Sequence, residues 1–173
     1  MAPKHRKFLP GIPSYFNSIP YENKVYIDIL TSACSSHLVM ELLRAKYKGL
    51  IVLVVDGKPL SAHHLSILLK DLGFVVNTAK DGHEALDFAC RVAYQLIITA
   101  IPIPRMDWLY ATRSIRKLEN HEKTPIIACT ENSFSKERTQ CMDAEINGVL
   151  SKPILPHFLY FTLFNVLENF RLV

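Results

Sequence analysis

The 173-residue sequence lacks any apolar run that approaches the roughly 18 residues needed to cross a bilayer. A membrane-spanning segment is therefore not predicted. The N-terminal stretch MAPKHRKFLPGIPSYF begins with basic residues, but Pro10, Gly11 and Pro13 interrupt the segment after them. This is not the pattern of a secretory signal peptide, and we expect a cytoplasmic protein.

Motifs for disulfides, metals and nucleotides are also missing. The seven histidines do not cluster at metal-ligand spacings, and there is no Walker loop, GxGxxG or HExxH motif. No CxxC pair occurs, so free thiols are expected at the four cysteines, Cys34, Cys90, Cys129 and Cys141. These absences argue against an enzyme, and no cofactor or metal is predicted.

Positive charge is concentrated at one end of the chain. Residues 1–48 contain seven Lys or Arg and three Asp or Glu, a net charge of +4, whereas residues 49–173 contain thirteen of each. The excess lies in KHRK (4–7) and RAKYK (44–48). A nucleic-acid-binding arm is one interpretation, but two short clusters are more typical of a solvated surface. We divide the chain into a basic N-terminal extension or cap, 1–48, and one domain, 49–173.

What the sequence does contain, from residue 50 onward, is a regular alternation of strand and helix patterns. LIVLVV is continuously apolar, as in a strand buried on both faces. Pro59 and Gly73 then bracket a helix, whose apolar face is formed by Leu65, Leu68, Leu69 and Leu72. The predicted strands are 50–55, 74–79, 95–100, 125–130 and 148–151, and the later predicted helices are 81–92, 108–119, 134–144 and 155–170.

This alternation predicts an α/β fold, a doubly wound five-stranded parallel sheet with helices on both faces. In such sheets the functional site lies at the carboxyl ends of the strands. The residues at those ends are Asp56, Ala100, Thr130 and Lys152.

Several segments resemble the receiver domain of response regulators and hybrid histidine kinases. They occur in the family's order between about residue 49 and residue 170: VLVVDGKPL, LLKDLGFVVNTAKDGHEAL, IPIPRMDWLYATRSIRKLE, TPIIACT and CMDAEINGVLSKPI. The resemblance implies the flavodoxin-like receiver fold. It also implies a site in which an aspartate after strand three accepts a phosphoryl group, aided by two acids that hold Mg²⁺, a hydroxyl and a lysine.

Carried over residue by residue, the resemblance gives an incomplete site. Asp56 matches the first acid, Thr130 the hydroxyl and Lys152 the lysine, but Gly57 stands at the second acid position and Ala100 at the phosphoacceptor position. A methyl group can neither accept a phosphoryl group nor bind a metal. The sequence therefore predicts a degenerate pocket. In it Lys152 is expected to pair with Asp56, and Thr130 to cap the following helix.

Other residues in this region depart from the family pattern as well. Asp107 is expected to point away from the pocket, and Trp108, in place of a usual glycine, is expected to add bulk at its mouth. Val149 stands where an aromatic switch residue often lies, and Glu145 replaces a common glycine. His63 and His64 lie in the first helix of a βα pattern and are interpreted as surface or boundary residues.

The last helix carries more aromatic residues than one buried face needs. Its inward stripe is predicted to be Leu159, Leu163, Val166, Leu167 and Phe170, which leaves four residues for an interaction face: Phe158, Tyr160, Phe161 and Phe164. Either these aromatics contact a partner or a second copy, or residues 1–48 cover them. Within that extension, 23–30 is predicted to be a strand and 35–47 a helix with Leu38, Leu42 and Ala45 on its apolar face.

Together these observations predict a pseudo-receiver that cannot be phosphorylated at Ala100. It would regulate two-component or phosphorelay signalling by contact with a sensor kinase, a phosphotransfer protein or another regulator. The alternative is a ligand-binding or DNA-associated transcriptional regulator that uses the basic N-terminal segment. Nucleic-acid binding is not the expected function.

Overall fold

The computed structural model describes residues 35–131 and 146–170. Its helices are α1 (Ser35–Tyr47), α2 (Pro59–Asp71), α3 (Gly82–Arg91), α4 (Trp108–Arg116) and α5 (Pro156–Phe170), with a short 3₁₀ helix at Glu119–His121. Its strands are β1 (Ile51–Val55), β2 (Val75–Ala79), β3 (Leu96–Ile101), β4 (Ile126–Thr130) and β5 (Gly148–Ser151). The predicted helix at 134–144 and the predicted strand at 23–30 lie outside the described residues.

The five strands form one parallel sheet in the order β2-β1-β3-β4-β5. The predicted fold class is confirmed. Every residue of β3 and β4 is buried, Thr99 and Thr130 included, because both strands are mostly apolar and have a strand on each side. β2 forms one edge, and Val75 is 51% exposed there.

Helices cover both faces of this sheet and enclose two buried clusters. One cluster joins β1 and β4 side chains to α1, α2 and α5 through residues such as Leu43, Leu69 and Leu163. The other lies against α3 and α4, with Ile97 and Ile115 among its members. Among the described helices, none is both long enough and apolar enough to cross a bilayer.

Local signals fix where the helices begin. α2 begins at Pro59, whose missing N–H has no partner to lose in a first turn. Asp81 caps α3 by accepting a hydrogen bond from the Glu84 N–H at 2.9 Å, and the Glu84 carboxylate accepts one from the Lys80 N–H at 2.8 Å. The arrangement resembles a capping box, except that Glu84 accepts from the residue before the N-cap, and it fixes the helix immediately after the edge strand.

The helix predicted at 35–47 is present, but the predicted apolar face is wrong. Leu38, Leu42 and Ala45 are exposed, and the buried side chains are Val39, Leu43 and Tyr47. Because apolar residues occupy 38, 39, 42 and 43, this helix has two neighbouring apolar stripes. Contact with α5 selects the second one.

The last helix buries most of its predicted inward stripe. Leu159, Leu163, Val166 and Leu167 are buried, and Phe170 is partly buried. Among the four aromatics assigned to an interaction face, Tyr160 is only 8% exposed and shares a buried cluster with Val39, Leu43 and Tyr47 of α1. Tyr160 is thus covered by α1, which lies within residues 1–48, so for this ring the second of the two predicted alternatives applies and it is not free for a partner. Phe158, Phe161 and Phe164 are partly buried against the same cluster.

Candidate functional site

The carboxyl edge of the sheet brings together the residues that the sequence placed at strand ends. Asp56 follows β1, Ala100 lies in β3 opposite Cys129, Thr130 ends β4, and Lys152 follows β5. Asp56, Ala100 and Thr130 are each no more than 7% exposed. A cleft of about 400 Å³ opens beside them, lined by Asp56, Gly57, Lys58, Ile101, Pro102, Ile103, Pro104, Glu131 and Lys152.

Asp56 is the most heavily hydrogen-bonded group of this cleft. Its Oδ2 accepts hydrogen bonds from Lys152 Nζ and from Ser61 Oγ, both at 2.6 Å. Its Oδ1 accepts one from the Lys58 N–H at 2.9 Å. The expected Asp56–Lys152 ion pair is confirmed, and both carboxylate oxygens already have donors.

The electrostatics of Asp56 follow from these contacts. Burial by itself raises the pKa of the carboxyl, but the hydrogen bonds from Lys152, Ser61 and Lys58 together outweigh it and lower the pKa below its ordinary value. The lowered pKa keeps the Asp56 carboxylate charged at neutral pH, opposite the Lys152 ammonium. The Lys152 side chain is only 14% exposed, so this ion pair is largely shielded from solvent.

Gly57 lies directly beneath a proline of the loop between β3 and α4. A Cβ atom added at Gly57 would be 2.6 Å from Cγ and 2.7 Å from Cδ of Pro104. Such distances are well inside van der Waals contact. A residue with a Cβ atom at position 57 would therefore clash with Pro104, whereas glycine fits. The same loop covers Gly82, where an added Cβ would be 2.9 Å from Cβ of Met106.

Ala100 contributes no polar side-chain group to this edge. Its methyl is 5% exposed and belongs to the buried cluster that packs against α3 and α4. It is not among the residues that line the cleft. The end of β3 therefore supplies an apolar surface where the resemblance places a nucleophile.

The donor set does not fit the Mg²⁺ site that the family resemblance implies. Mg²⁺ prefers octahedral oxygen coordination, usually with carboxylates. Asp56 is engaged by three donors, Gly57 and Ala100 have no side-chain oxygen, and Glu131 is paired with Lys58. Within residues 35–131 and 146–170, no three His, Cys, Asp or Glu side chains lie close enough to hold a metal ion.

The sequence did not identify Pro104 and Glu131, which line the cleft, or Ser61, which donates to Asp56. Glu131 directly follows Thr130, so its position at a strand end was a usable signal. Ser61 was not, since the first turn of α2 brings it to Asp56 only in the folded chain. The contact of Pro104 with Gly57 likewise joins residues far apart in sequence.

The structure corrects one neighbouring prediction and supports another. Trp108 is 7% exposed in the buried cluster and does not line the cleft, so the predicted bulk at the pocket mouth is wrong. α4 begins at Trp108, which is buried in the same cluster as Ala111 and Ile115. Asp107 is directed away from the cleft as expected, because its carboxylate caps α4 by accepting from the Leu109 N–H at 3.0 Å.

Two further predictions concern Val149 and Glu145. Val149 is half-buried in β5. Glu145 lies outside the described residues, as does the helix that Thr130 was expected to cap.

The histidines and the basic clusters show no site of their own within the described residues. His63 and His64 are exposed on α2, as predicted. Arg44 and Lys46, from the second basic cluster, are used inside the chain: Arg44 Nε donates to the Asp71 carbonyl at 2.7 Å, and Lys46 Nζ donates to Glu168 at 2.5 Å. The KHRK cluster lies outside the described residues.

The sheet order and the acid, hydroxyl and lysine at its carboxyl edge define a receiver-type α/β domain. The chain belongs to the response regulator receiver domain family, whose model matches residues 52–162. It is 30% identical over 122 residues to the sensor histidine kinase RcsC of Salmonella typhimurium. It is 33% identical over 114 residues to the hybrid signal transduction histidine kinase B of Dictyostelium discoideum. These alignments cover 70% and 60% of the chain, but only 13% and 6% of the relatives.

Solved receiver structures agree with this assignment. The chemotaxis protein CheY4 of Vibrio cholerae superposes with a TM-score of 0.66 at 30% identity, covering 68% of this chain and 98% of CheY4. The receiver domain of the sensor histidine kinase PA1611 of Pseudomonas aeruginosa superposes with a TM-score of 0.64 at 31% identity, covering 71% of this chain and 98% of that domain. The PA1611 structure holds a magnesium ion coordinated in its active-site cleft.

Proposed function

We propose that this receiver domain does not accept a phosphoryl group at Ala100 and that it regulates two-component or phosphorelay signalling by protein–protein contact. The observation that carries the proposal is the methyl of Ala100, buried at the carboxyl end of β3. Covalent transfer to a protein requires a nucleophilic side chain. An alanine at this position supplies none.

The charges around Ala100 support the same proposal. Phosphoryl transfer depends mainly on positioning and on neutralisation of the phosphoryl charge. Lys152, the less exposed of the two lysines that line the cleft, already forms a short ion pair with Asp56. An incoming phosphoryl group would compete with a fixed carboxylate for that ammonium, and Asp56 itself would repel it.

The class of partner follows from the family. Histidine kinases are among the proteins to which this chain is similar, so the proposed partner is a sensor kinase, a phosphotransfer protein or another regulator of such a pathway. The domain would act by occupying that partner and would catalyse no reaction of its own.

A competition assay tests both halves of the proposal. A purified cognate histidine kinase transfers radiolabelled phosphoryl groups to an intact receiver, and this chain is added in excess. We expect the transfer to the intact receiver to slow, because the partner is occupied, while the chain itself gains no label. An acid-labile phosphoryl group on any side chain of the wild-type chain would contradict the proposal.

An NMR titration with Mg²⁺ and beryllofluoride, a phosphoryl mimic, tests the pocket directly. We expect no saturable amide shifts at Asp56, Ala100, Thr130 or Lys152, and an intact receiver domain provides the positive control. Saturable shifts at these four residues would show that the pocket still binds an anion. The regulatory input would then be a ligand.

A further inference from the structure

Helix α1 lies on the domain as an additional element. The family match begins at residue 52, whereas α1 ends at Tyr47. Its buried side chains Val39, Leu43 and Tyr47 are 0%, 0% and 8% exposed and join the cluster built by α2 and α5. Without α1, this apolar surface of the receiver would face solvent.

The surface beneath α1 is a groove between α5 and the C-terminal end of α2. Leu163 and Leu167 of α5, with Leu69 of α2 and Leu72 directly after it, belong to the cluster that α1 joins. Tyr160 is part of it too, and burial raises the pKa of its hydroxyl. A groove of this composition fits an amphipathic helix.

Polar contacts at the basic end of α1 set its direction and register. Glu168 of α5 accepts hydrogen bonds from Lys46 Nζ at 2.5 Å and from Tyr47 Oη at 2.8 Å. Arg44 Nε donates at 2.7 Å to the carbonyl of Asp71, the last residue of α2, where helix carbonyls lack intrahelical partners. The groove therefore recognises an apolar stripe at i, i+4 and i+8 that ends in basic residues.

The connection from α1 to β1 is short and fixed. Gly49 has φ +85°, a left-handed conformation that favours glycine. Its N–H donates to the Gly73 carbonyl at 2.8 Å, and the Leu50 N–H donates to the Tyr47 carbonyl at 3.0 Å. This turn returns α1 to its own domain, so the occupant of the groove is a helix of the same chain.

We propose that α1 is the resident occupant of a helix-binding groove between α2 and α5, and that a partner helix of the same chemistry binds there only by displacing it. Such a helix has an aliphatic and tyrosine stripe followed by basic residues. The inference rests on the proposed contact function and names both the surface and the element that controls access to it. A competing helix can bind only the fraction of molecules in which α1 has left the groove. Its apparent affinity is therefore lower than its affinity for the open groove, in proportion to that fraction.

The probe is a fluorescent peptide with the sequence of residues 35–48, titrated by anisotropy into the full chain. In the Leu43→Glu variant a charge replaces a fully buried side chain of α1, while the groove itself is unchanged. We expect this variant to bind the peptide at least tenfold more tightly than the wild type. The matched control is Leu42→Glu, the neighbouring residue at 38% exposure, which should bind the peptide as the wild type does.

A second pair of variants answers the case in which Leu43→Glu does not fold. Lys46→Glu places a negative charge against Glu168 without touching the apolar contacts, and Lys48→Glu is the charge-matched control. We expect severalfold tighter peptide binding for Lys46→Glu alone. Equal affinities for the wild type, Lys46→Glu and a folded Leu43→Glu would overturn the inference, as would a folded Leu43→Glu chain that binds no peptide. Neither result depends on phosphorylation, so a failure here is distinguishable from a failure of the proposed function.

Discussion

The Asp56 carboxylate and the Lys152 ammonium, 2.6 Å apart, join two strands that are not neighbours in the sheet. Asp56 follows β1 and Lys152 follows β5, with β3 and β4 between them. The ion pair therefore spans the carboxyl ends of β3, which carries Ala100, and β4. At this edge an internal pair of opposite charges stands where the family's chemistry needs free carboxylates.

Removing the ammonium of this pair should destabilise the fold. In Lys152→Met the Asp56 carboxylate, 7% exposed, loses its counter-charge while it remains buried. We expect a loss of about 3 kcal/mol in the free energy of unfolding, the magnitude typical of breaking a buried pair on one side. Urea denaturation at neutral pH measures it.

The control for Lys152→Met is Lys58→Met. Lys58 pairs with Glu131 at the exposed rim of the same cleft, with side chains 67% and 54% exposed. Exposed pairs contribute little to stability, so the urea midpoint should barely move. Equal effects of the two substitutions would show that the Asp56–Lys152 pair stabilises the fold no more than the exposed Lys58–Glu131 pair does.

The lowered pKa of Asp56 makes stability depend on pH in a defined direction. A group whose folded-state pKa lies below its unfolded value, here about 3.8, stabilises the fold fully above that value. The contribution disappears as the pH falls through the folded-state pKa. The stability difference between the wild type and Asp56→Asn should be constant from pH 7 to about pH 5 and should narrow below about pH 4. A difference that grows on acidification would contradict this assignment.

The close approach of Pro104 to Gly57 predicts an unusually costly alanine substitution. A Cβ 2.6 Å from Pro104 Cγ forces the β3–α4 loop to move, and overpacking of this kind costs about 1–3 kcal/mol. Unfolding of Gly57→Ala, Pro104→Ala and the double variant forms a double-mutant cycle. We expect Pro104→Ala to relieve the clash, with a coupling of about 1 kcal/mol or more. Additive effects would mean that the two residues do not press on each other.

His121 holds the C-terminal end of α3 to the segment before β4. It is fully buried, with Nε2 3.0 Å from the Ala89 carbonyl and 3.1 Å from the Val92 carbonyl. Two carbonyl oxygens can only accept, so Nε2 carries the hydrogen. In His121→Leu both carbonyls lose this donor, and we expect a loss of about 2–3 kcal/mol in the free energy of unfolding. His83→Leu, at an exposed position of α3, is the matched control and should have little effect.

The elements that the sequence predicted well are those whose signal is local. β3 and β4 are mostly apolar runs, and Pro59 marks the start of α2 by its position after the first strand. Alternating strands and helices then leave few topologies. This is why Asp56 and Lys152 could be placed at the same edge of the sheet from the sequence.

Local patterns were thus enough to predict the sheet, its carboxyl edge and the position of Ala100 at that edge. The choice between Leu38 and Val39 as the buried side of α1 could not be read from the sequence, because both stripes are apolar and contact with α5 selects one. The burial of Trp108 in the core and the close approach of Pro104 to Gly57 were likewise not predictable from the sequence. These outcomes depend on close packing between segments distant in the chain, which no local pattern encodes.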